Sequence, residues 1–197
     1  MWQKDLNTNV TNMVHMSQKD YRLSIVLALS RQESYTRALA RQLNTNQTTV
    51  ARKIRELMTE NIVDASTVGK NKIVFLKKSL EARQMLCAAE LFKLSAFVAE
   101  YPLLRSVVEQ IQNESEISMA IVFGSYAKGL AMPSSDIDVY IDTAKQKIKE
   151  RIEKFDSKLS IKIGKYNRNS ILVREIEKNH VIIKGVEKFY EFSKLSL

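Results

Sequence analysis

Asp136 and Asp138 stand two positions apart in Ser135-Asp136-Ile137-Asp138-Val139-Tyr140-Ile141. The apolar residues around them predict a strand over Asp136 to Ile141, and side chains two apart on a strand leave the same face. Two neighbouring carboxylates repel each other unless a cation lies between them. Mg2+ suits such a pair, because one or two carboxylates hold it and waters and substrate phosphates complete its shell. Twelve positions before Asp136, Gly124 and Ser125 follow the apolar run Ala120 to Phe123, which predicts a buried strand ending in a turn. Glycine has no Cβ, so backbone there can approach a ligand. Free N–H groups at the start of a helical turn suit phosphate. Ser125 adds a hydroxyl, and Lys128, one turn on, adds an ammonium within reach of the same phosphate. A phosphate cradle facing a metal-binding carboxylate pair is what phosphoryl or nucleotidyl transfer needs.

This order of strand, Gly-Ser, short helix and Asp-x-Asp resembles the DNA polymerase beta-type nucleotidyltransferase superfamily, especially its small, minimal members. Gly124, Ser125, Asp136 and Asp138 carry the resemblance. It implies a nucleoside triphosphate, ATP or another, bound with Mg2+, and nucleotidyl transfer to an acceptor. In that reading Asp136 and Asp138 are the metal ligands and catalytic carboxylates, while Gly124, Ser125 and Lys128 hold the nucleotide. The family usually supplies a third carboxylate from a neighbouring strand. Here that strand is expected over Lys158 to Lys165, with Leu159, Ile161 and Ile163 on its apolar face and Ser160 and Lys162 on the other. Neither is an acid. Asp142 and Asp156 are the nearest acids in sequence, each expected at an element end. Nucleotide and metal binding follow from the resemblance; turnover stays open.

The elements that must position these residues alternate. An amphipathic helix is expected over Leu103 to Asn113 and a crossover helix over Ala144 to Phe155. Two further helices, Ile171 to Asn179 and Val186 to Phe192, are separated by the short stretch Val181-Ile182-Ile183. Strands alternating with helices indicate an α/β (α+β) layer, a mixed sheet with helices. His15 and His180 have no ligand partner at useful spacing.

The first part of the chain is different in charge. Of the net charge of +9, residues 1–80 hold +7, from 13 Lys or Arg against 6 Asp or Glu. Such an asymmetry points to nucleic acid as the partner of that part. Helices are expected over Lys19 to Ser30, over Ser34 to Leu43 with Ser34 as cap, and over Gln47 to Asn61. The last starts after the polar turn Asn44-Thr45-Asn46 and has the stripe Val50, Ile54, Leu57 and Met58. Two β-branched runs, Ile62 to Thr67 and Lys72 to Leu76, flank the turn Val68-Gly69-Lys70-Asn71 and predict a hairpin. Residues 18–78 thus resemble a winged helix-turn-helix DNA-binding domain, whose third helix enters the major groove. Gln47, Thr48 and Arg52 face outward at its start, where Gln suits adenine and Arg suits guanine. Lys53 on the same helix and Lys70 and Lys72 on the wing are placed for phosphate.

Residues 79–99 predict one long helix, apolar on most sides, that packs against both domains or against the same helix of a second copy in a homodimer. Pro102 ends it, and residues 100–197 form the nucleotidyltransferase domain. Trp2 and Met13, in an N-terminal stretch without periodicity, are candidates to tuck onto a neighbour. The one cysteine, Cys87, excludes an internal disulfide and reads as a small core residue. With no long apolar run and no signal peptide, a cytoplasmic protein away from the membrane is expected. The expected function is a double-stranded-DNA-binding protein whose nucleotidyltransferase domain binds triphosphate and Mg2+ and transfers a nucleotidyl group, with a protein among the conceivable acceptors. The alternative is a transcription regulator in which that domain is inactive and serves as nucleotide sensor or interaction surface.

Overall fold

A computed structural model of the 197-residue chain describes residues 20–69 and 71–193. The sequence readings at Trp2, Met13, His15 and Lys70 lie outside the described residues. The chain divides into two compact units, one running to Phe92 and the other spanning Lys93–Lys194.

In the first unit the elements run α1 (Tyr21–Leu29), β1 (Ser34–Tyr35), α2 (Thr36–Gln42), α3 (Gln47–Thr59), β2 (Val63–Val68) and β3 (Asn71–Leu76). Asp20 starts α1 by accepting the amide hydrogens of Arg22 and Leu23, which satisfies donors that the first turn leaves open. Between α2 and α3 the chain reverses at Asn44, φ +48, and the Thr45 amide donates to Ala40 O at 2.9 Å. Asn46 then caps α3, its Oδ1 accepting the Thr49 amide at 2.7 Å. Strands β2 and β3 pair antiparallel from Val63–Leu76 to Val68–Asn71, and Gly69 supplies the positive φ that closes the hairpin.

Ser34 corrects a sequence expectation. It does not cap a helix. Ser34 and Tyr35 are extended and pair with Val74 and Ile73 of β3, so α2 starts at Thr36. Pairing with a β-branched strand outweighs serine's local capping preference. Ile25, Val26, Leu39, Val50 and Leu57 are fully buried, at about 1.5–3 kcal/mol for each large side chain removed from water. A tight turn between α2 and α3, followed by a three-stranded sheet ordered β1-β3-β2, makes this unit a winged helix-turn-helix.

Helix α4 (Leu80–Glu100) runs 21 residues without interruption. The Ser79 hydroxyl opens it, accepting the Ala82 amide at 3.1 Å. Among the described residues no helix is long and apolar enough to cross a membrane.

The second unit continues through a 3-10 turn at Pro102–Leu104 into α5 (Arg105–Asn113), β4 (Ala120–Val122), α6 (Gly124–Ala127), β5 (Ile137–Asp142) and α7 (Gln146–Glu153). Strand β6 (Leu159–Gly164), α8 (Ile171–Lys178), β7 (Val181–Lys184) and α9 (Val186–Phe192) complete it. The sheet order is β6-β5-β4-β7. Only β5 and β6 are parallel; β4 runs antiparallel to both β5 and β7. A parallel neighbour needs a crossover, and α7 provides it. The stretch Val181 to Ile183, read in sequence as a break between helices, is a strand. Its three apolar residues are all buried, and so short a run has no period of its own to show this.

One face of the sheet carries the core. Ile137, Val139 and Ile141 of β5 and Leu159 and Ile161 of β6 cluster there with Val107 and Ile111 of α5 and Ile148 and Ile152 of α7. By alternation, Asp138, Tyr140 and Asp142 leave the other face, beside Ser160 and Lys162.

Candidate functional site

Strand β4 delivers the chain to the site. The Phe123 amide donates to Asp138 O at 3.0 Å, tying the strand end to β5. At the next residue the backbone turns with φ +71 at Gly124. A Cβ there would lie 2.5 Å from Asp138 Oδ2 and 3.3 Å from its Cγ. The Asp138 carboxylate therefore stands directly against the Gly124 backbone, and only glycine fits both the space and the φ.

Helix α6 is a single turn, and its far side is held by packing. Tyr126 and Ala127 pack against the core. The Tyr126 ring meets Tyr101 edge-on, centroids 5.0 Å apart, and Tyr101 meets Phe97 at 5.2 Å. The Leu130 amide donates to Ser125 O at 3.0 Å, which closes the turn behind Ser125.

The loop leading to Asp136 is pinned as well. Ser135 Oγ accepts the Met132 amide at 2.9 Å, and Lys158 Nζ donates to Pro133 O at 2.7 Å. The Ile137 amide donates to Lys158 O at 2.8 Å, so Asp136 sits at the mouth of β5, two residues before Asp138. Leu130 and Met132 of this loop are exposed.

The neighbouring strand supplies no acid. Ser160 is the β6 residue in register with Asp138, and Lys162 is in register with Tyr140. Asp142 is committed elsewhere: it bonds Lys188 Nζ at 2.7 Å and accepts the Tyr166 amide at 3.2 Å. Asp156 Oδ1 accepts the Lys158 amide at 2.8 Å in the turn before β6. Among the described residues no three His, Cys, Asp or Glu side chains converge as a metal group.

Lys128 follows α6, and its Nζ bonds Glu175 Oε1 of α8 at 2.9 Å. The hydrogen bond from Lys128 holds the Glu175 carboxyl below the usual glutamate range. Sequence reasoning missed Glu175, which lies 47 residues from Lys128 with no motif to join them.

Residues 105–188 match the family model described as polymerase beta, nucleotidyltransferase. The second unit is a nucleotidyltransferase domain of the polymerase beta type. In this nucleotidyltransferase domain the matched stretch runs from α5 into the start of α9, and it includes Gly124, Ser125, Asp136 and Asp138. No curated protein matches the chain. Among solved structures, the adhesin competence repressor of Streptococcus pyogenes is similar at 18% identity and TM-score 0.42, over 53% of this chain and 80% of that one. A second crystal structure of the same repressor gives 16% identity, TM-score 0.42, and 56% and 91% coverage. The homodimeric winged helix-turn-helix DNA-binding domain Mb0332 of Mycobacterium bovis gives 22% identity and TM-score 0.31, over 53% and 91%. Likenesses at these scores decide nothing, and the winged helix ahead of the nucleotidyltransferase domain rests on the elements described above.

On that winged helix, Gln47, Thr48 and Arg52 are exposed on α3, and Lys72 is exposed on β3. Lys53 is only 22% exposed, against 59% for Arg52, and one carboxylate serves both: Glu56 bonds Arg52 Nη1 at 3.1 Å and Lys53 Nζ at 2.8 Å. Arg37 and Arg41, four apart on α2, are also exposed. Sequence reasoning passed over them because they precede the turn rather than follow it.

Proposed function

We propose that the protein binds double-stranded DNA through its winged helix and a nucleoside triphosphate with Mg2+ through its nucleotidyltransferase domain, as a nucleotide-responsive DNA-binding regulator. The contact of Gly124 with the Asp138 carboxylate carries the nucleotide half. It sets the backbone of the Gly124 turn directly against the acidic strand, with no side chain between them.

The donor set fits Mg2+ in the form that needs a substrate. Asp136 and Asp138 would supply two carboxylates, and triphosphate oxygens and waters would complete the shell. When bound, the ion screens the triphosphate charge and stabilises charge developing at the α-phosphate. The Gly124 and Ser125 amides and the Ser125 hydroxyl bind phosphate oxygens. Lys128 offsets their charge.

Ser160 favours regulation over rapid turnover, because the strand beside Asp138 offers a hydroxyl where a carboxylate would strengthen the metal shell. Nucleotidyl transfer to an acceptor, a protein among the candidates, is the second reading, supported by the paired aspartates. In the DNA half, Gln47, Thr48 and Arg52 read base edges, while Lys53, Lys70 and Lys72 meet phosphate. Two copies joined through α4 would read a palindromic site.

Titration calorimetry with ATP, with and without Mg2+, tests the nucleotide half. The expected result is Mg2+-dependent binding that Asp136→Asn and Asp138→Asn both weaken at least about ten-fold, the scale of losing a metal-site partner. Equal ATP affinity in all three proteins would end the assignment. Incubation with α-labelled ATP separates the two readings, since label transferred by the purified protein would make it an enzyme.

A further inference from the structure

Lys128, the residue that follows α6, is already held by a carboxylate. Lys128 Nζ lies 2.9 Å from Glu175 Oε1, and the other oxygen, Oε2, lies 3.5 Å from Lys178 Nζ. Glu175 thus bridges two ammonium groups, one at the end of the phosphate-facing turn and one a turn further along its own helix. The two bonds are unequal. Lys128 is the closer partner and the less exposed, 36% against 70% for Lys178.

We infer that Glu175 is a built-in competitor for the triphosphate, occupying Lys128 until nucleotide displaces it onto Lys178. The inference rests on the nucleotide reading of the same pocket. A carboxylate and a phosphate oxygen offer an ammonium the same kind of charge-assisted hydrogen bond. A triphosphate held against Gly124 and Ser125 brings several such oxygens within reach of Lys128. Glu175 cannot follow into the pocket, because α8 fixes its backbone. It therefore needs a second cation to keep its charge satisfied, and Lys178 stands ready three residues on, on the same helix face. Binding then exchanges one ion pair for another. The arrangement raises the nucleotide concentration at which the site fills.

Calorimetry on the full chain with ATP–Mg2+ tests this, with circular dichroism to confirm that each variant folds. Glu175→Gln should tighten binding about two- to five-fold, the scale of an exposed ion pair. Lys178→Met should weaken it, because Glu175 then keeps Lys128, and should have no effect when Glu175→Gln is already present. Lys128→Met should weaken binding and abolish the gain from Glu175→Gln. A purely structural Glu175 gives the opposite sign: Glu175→Gln loses affinity as Lys128 loses its support. Unchanged or weaker binding by Glu175→Gln overturns the inference, as does a Lys178→Met loss that persists in the Glu175→Gln background. If the unaltered chain binds ATP–Mg2+ and Asp138→Asn does not, while Glu175→Gln is neutral, only the competitor role fails. If the unaltered chain does not bind ATP–Mg2+, the nucleotide reading and the competitor role fall together.

Discussion

Gly124 and Asp138 touch across the gap between β4 and β5, leaving less room than a methyl group needs: a Cβ on Gly124 would stand 2.5 Å from Asp138 Oδ2. Gly124→Ala must push the carboxylate aside and also adopt φ +71, at a cost of about 1–2 kcal/mol for the left-handed backbone alone. Thermal denaturation should show that loss. Nucleotide binding should fall further than stability does, while DNA affinity stays unchanged.

Ser160→Asp places a third carboxylate in register with Asp138 on the same sheet face. Label transfer from α-labelled ATP in Mg2+ should rise above that of the unaltered chain. A variant that binds ATP–Mg2+ normally and transfers no more label would show that something other than this position limits turnover.

On the DNA face, Arg52→Ala should cost about 1–3 kcal/mol on the preferred sequence and relax discrimination at one base pair. Lys72→Ala should weaken all sequences alike. Removing Arg37 and Arg41 together should flatten the dependence of log affinity on log salt by about two, if each neutralises one phosphate. Fluorescence anisotropy at several salt concentrations measures all three.

Glu56→Gln frees Arg52 and Lys53 from their shared carboxylate. Non-specific DNA affinity should rise and selectivity fall, measured as the ratio of specific to non-specific binding. The hydrogen bond from Lys53 keeps the Glu56 carboxyl below its usual range. The pairing is therefore complete above the ordinary glutamate value of 4.5 and is lost as pH falls through the depressed one. Its small stabilisation should disappear only on strong acidification.

Tyr140 lies on β5, two residues after Asp138, its hydroxyl donating to Gly164 O at 2.7 Å. Burial, with Asp142 nearby, pushes its phenol far above the ordinary value of 10.0. The folded state thus keeps the proton that the unfolded chain gives up. Stability is complete below about pH 10 and declines as pH rises toward the folded value. Tyr140→Phe should cost about 0.5–1.5 kcal/mol at neutral pH and reduce the alkaline decline seen in denaturant titrations.

The sequence made the outward face of Asp138 legible because strand alternation is local: Asp138 and Val139 must face opposite ways wherever the strand lies. It made the turn at Asn46 legible for the same reason, since a cap needs only its own next three residues. Ser34 was misread because its strand partner, Val74, is forty residues away. Glu175 was invisible because an ion pair between separate helices leaves no periodic trace. The run Val181 to Ile183 was too short to distinguish a strand from a spacer until β4 was seen beside it.

Strand β7 has a kinetic consequence. Val122 meets Val139 within seventeen residues of chain, whereas Ile121 meets Ile182 only after sixty-one. Loop-closure entropy rises with that separation, and distant pairings are slow to form. Strand β4, which leads into Gly124, and β5, which bears Asp138, can therefore zip together early, and β7 docks last along the free edge of β4.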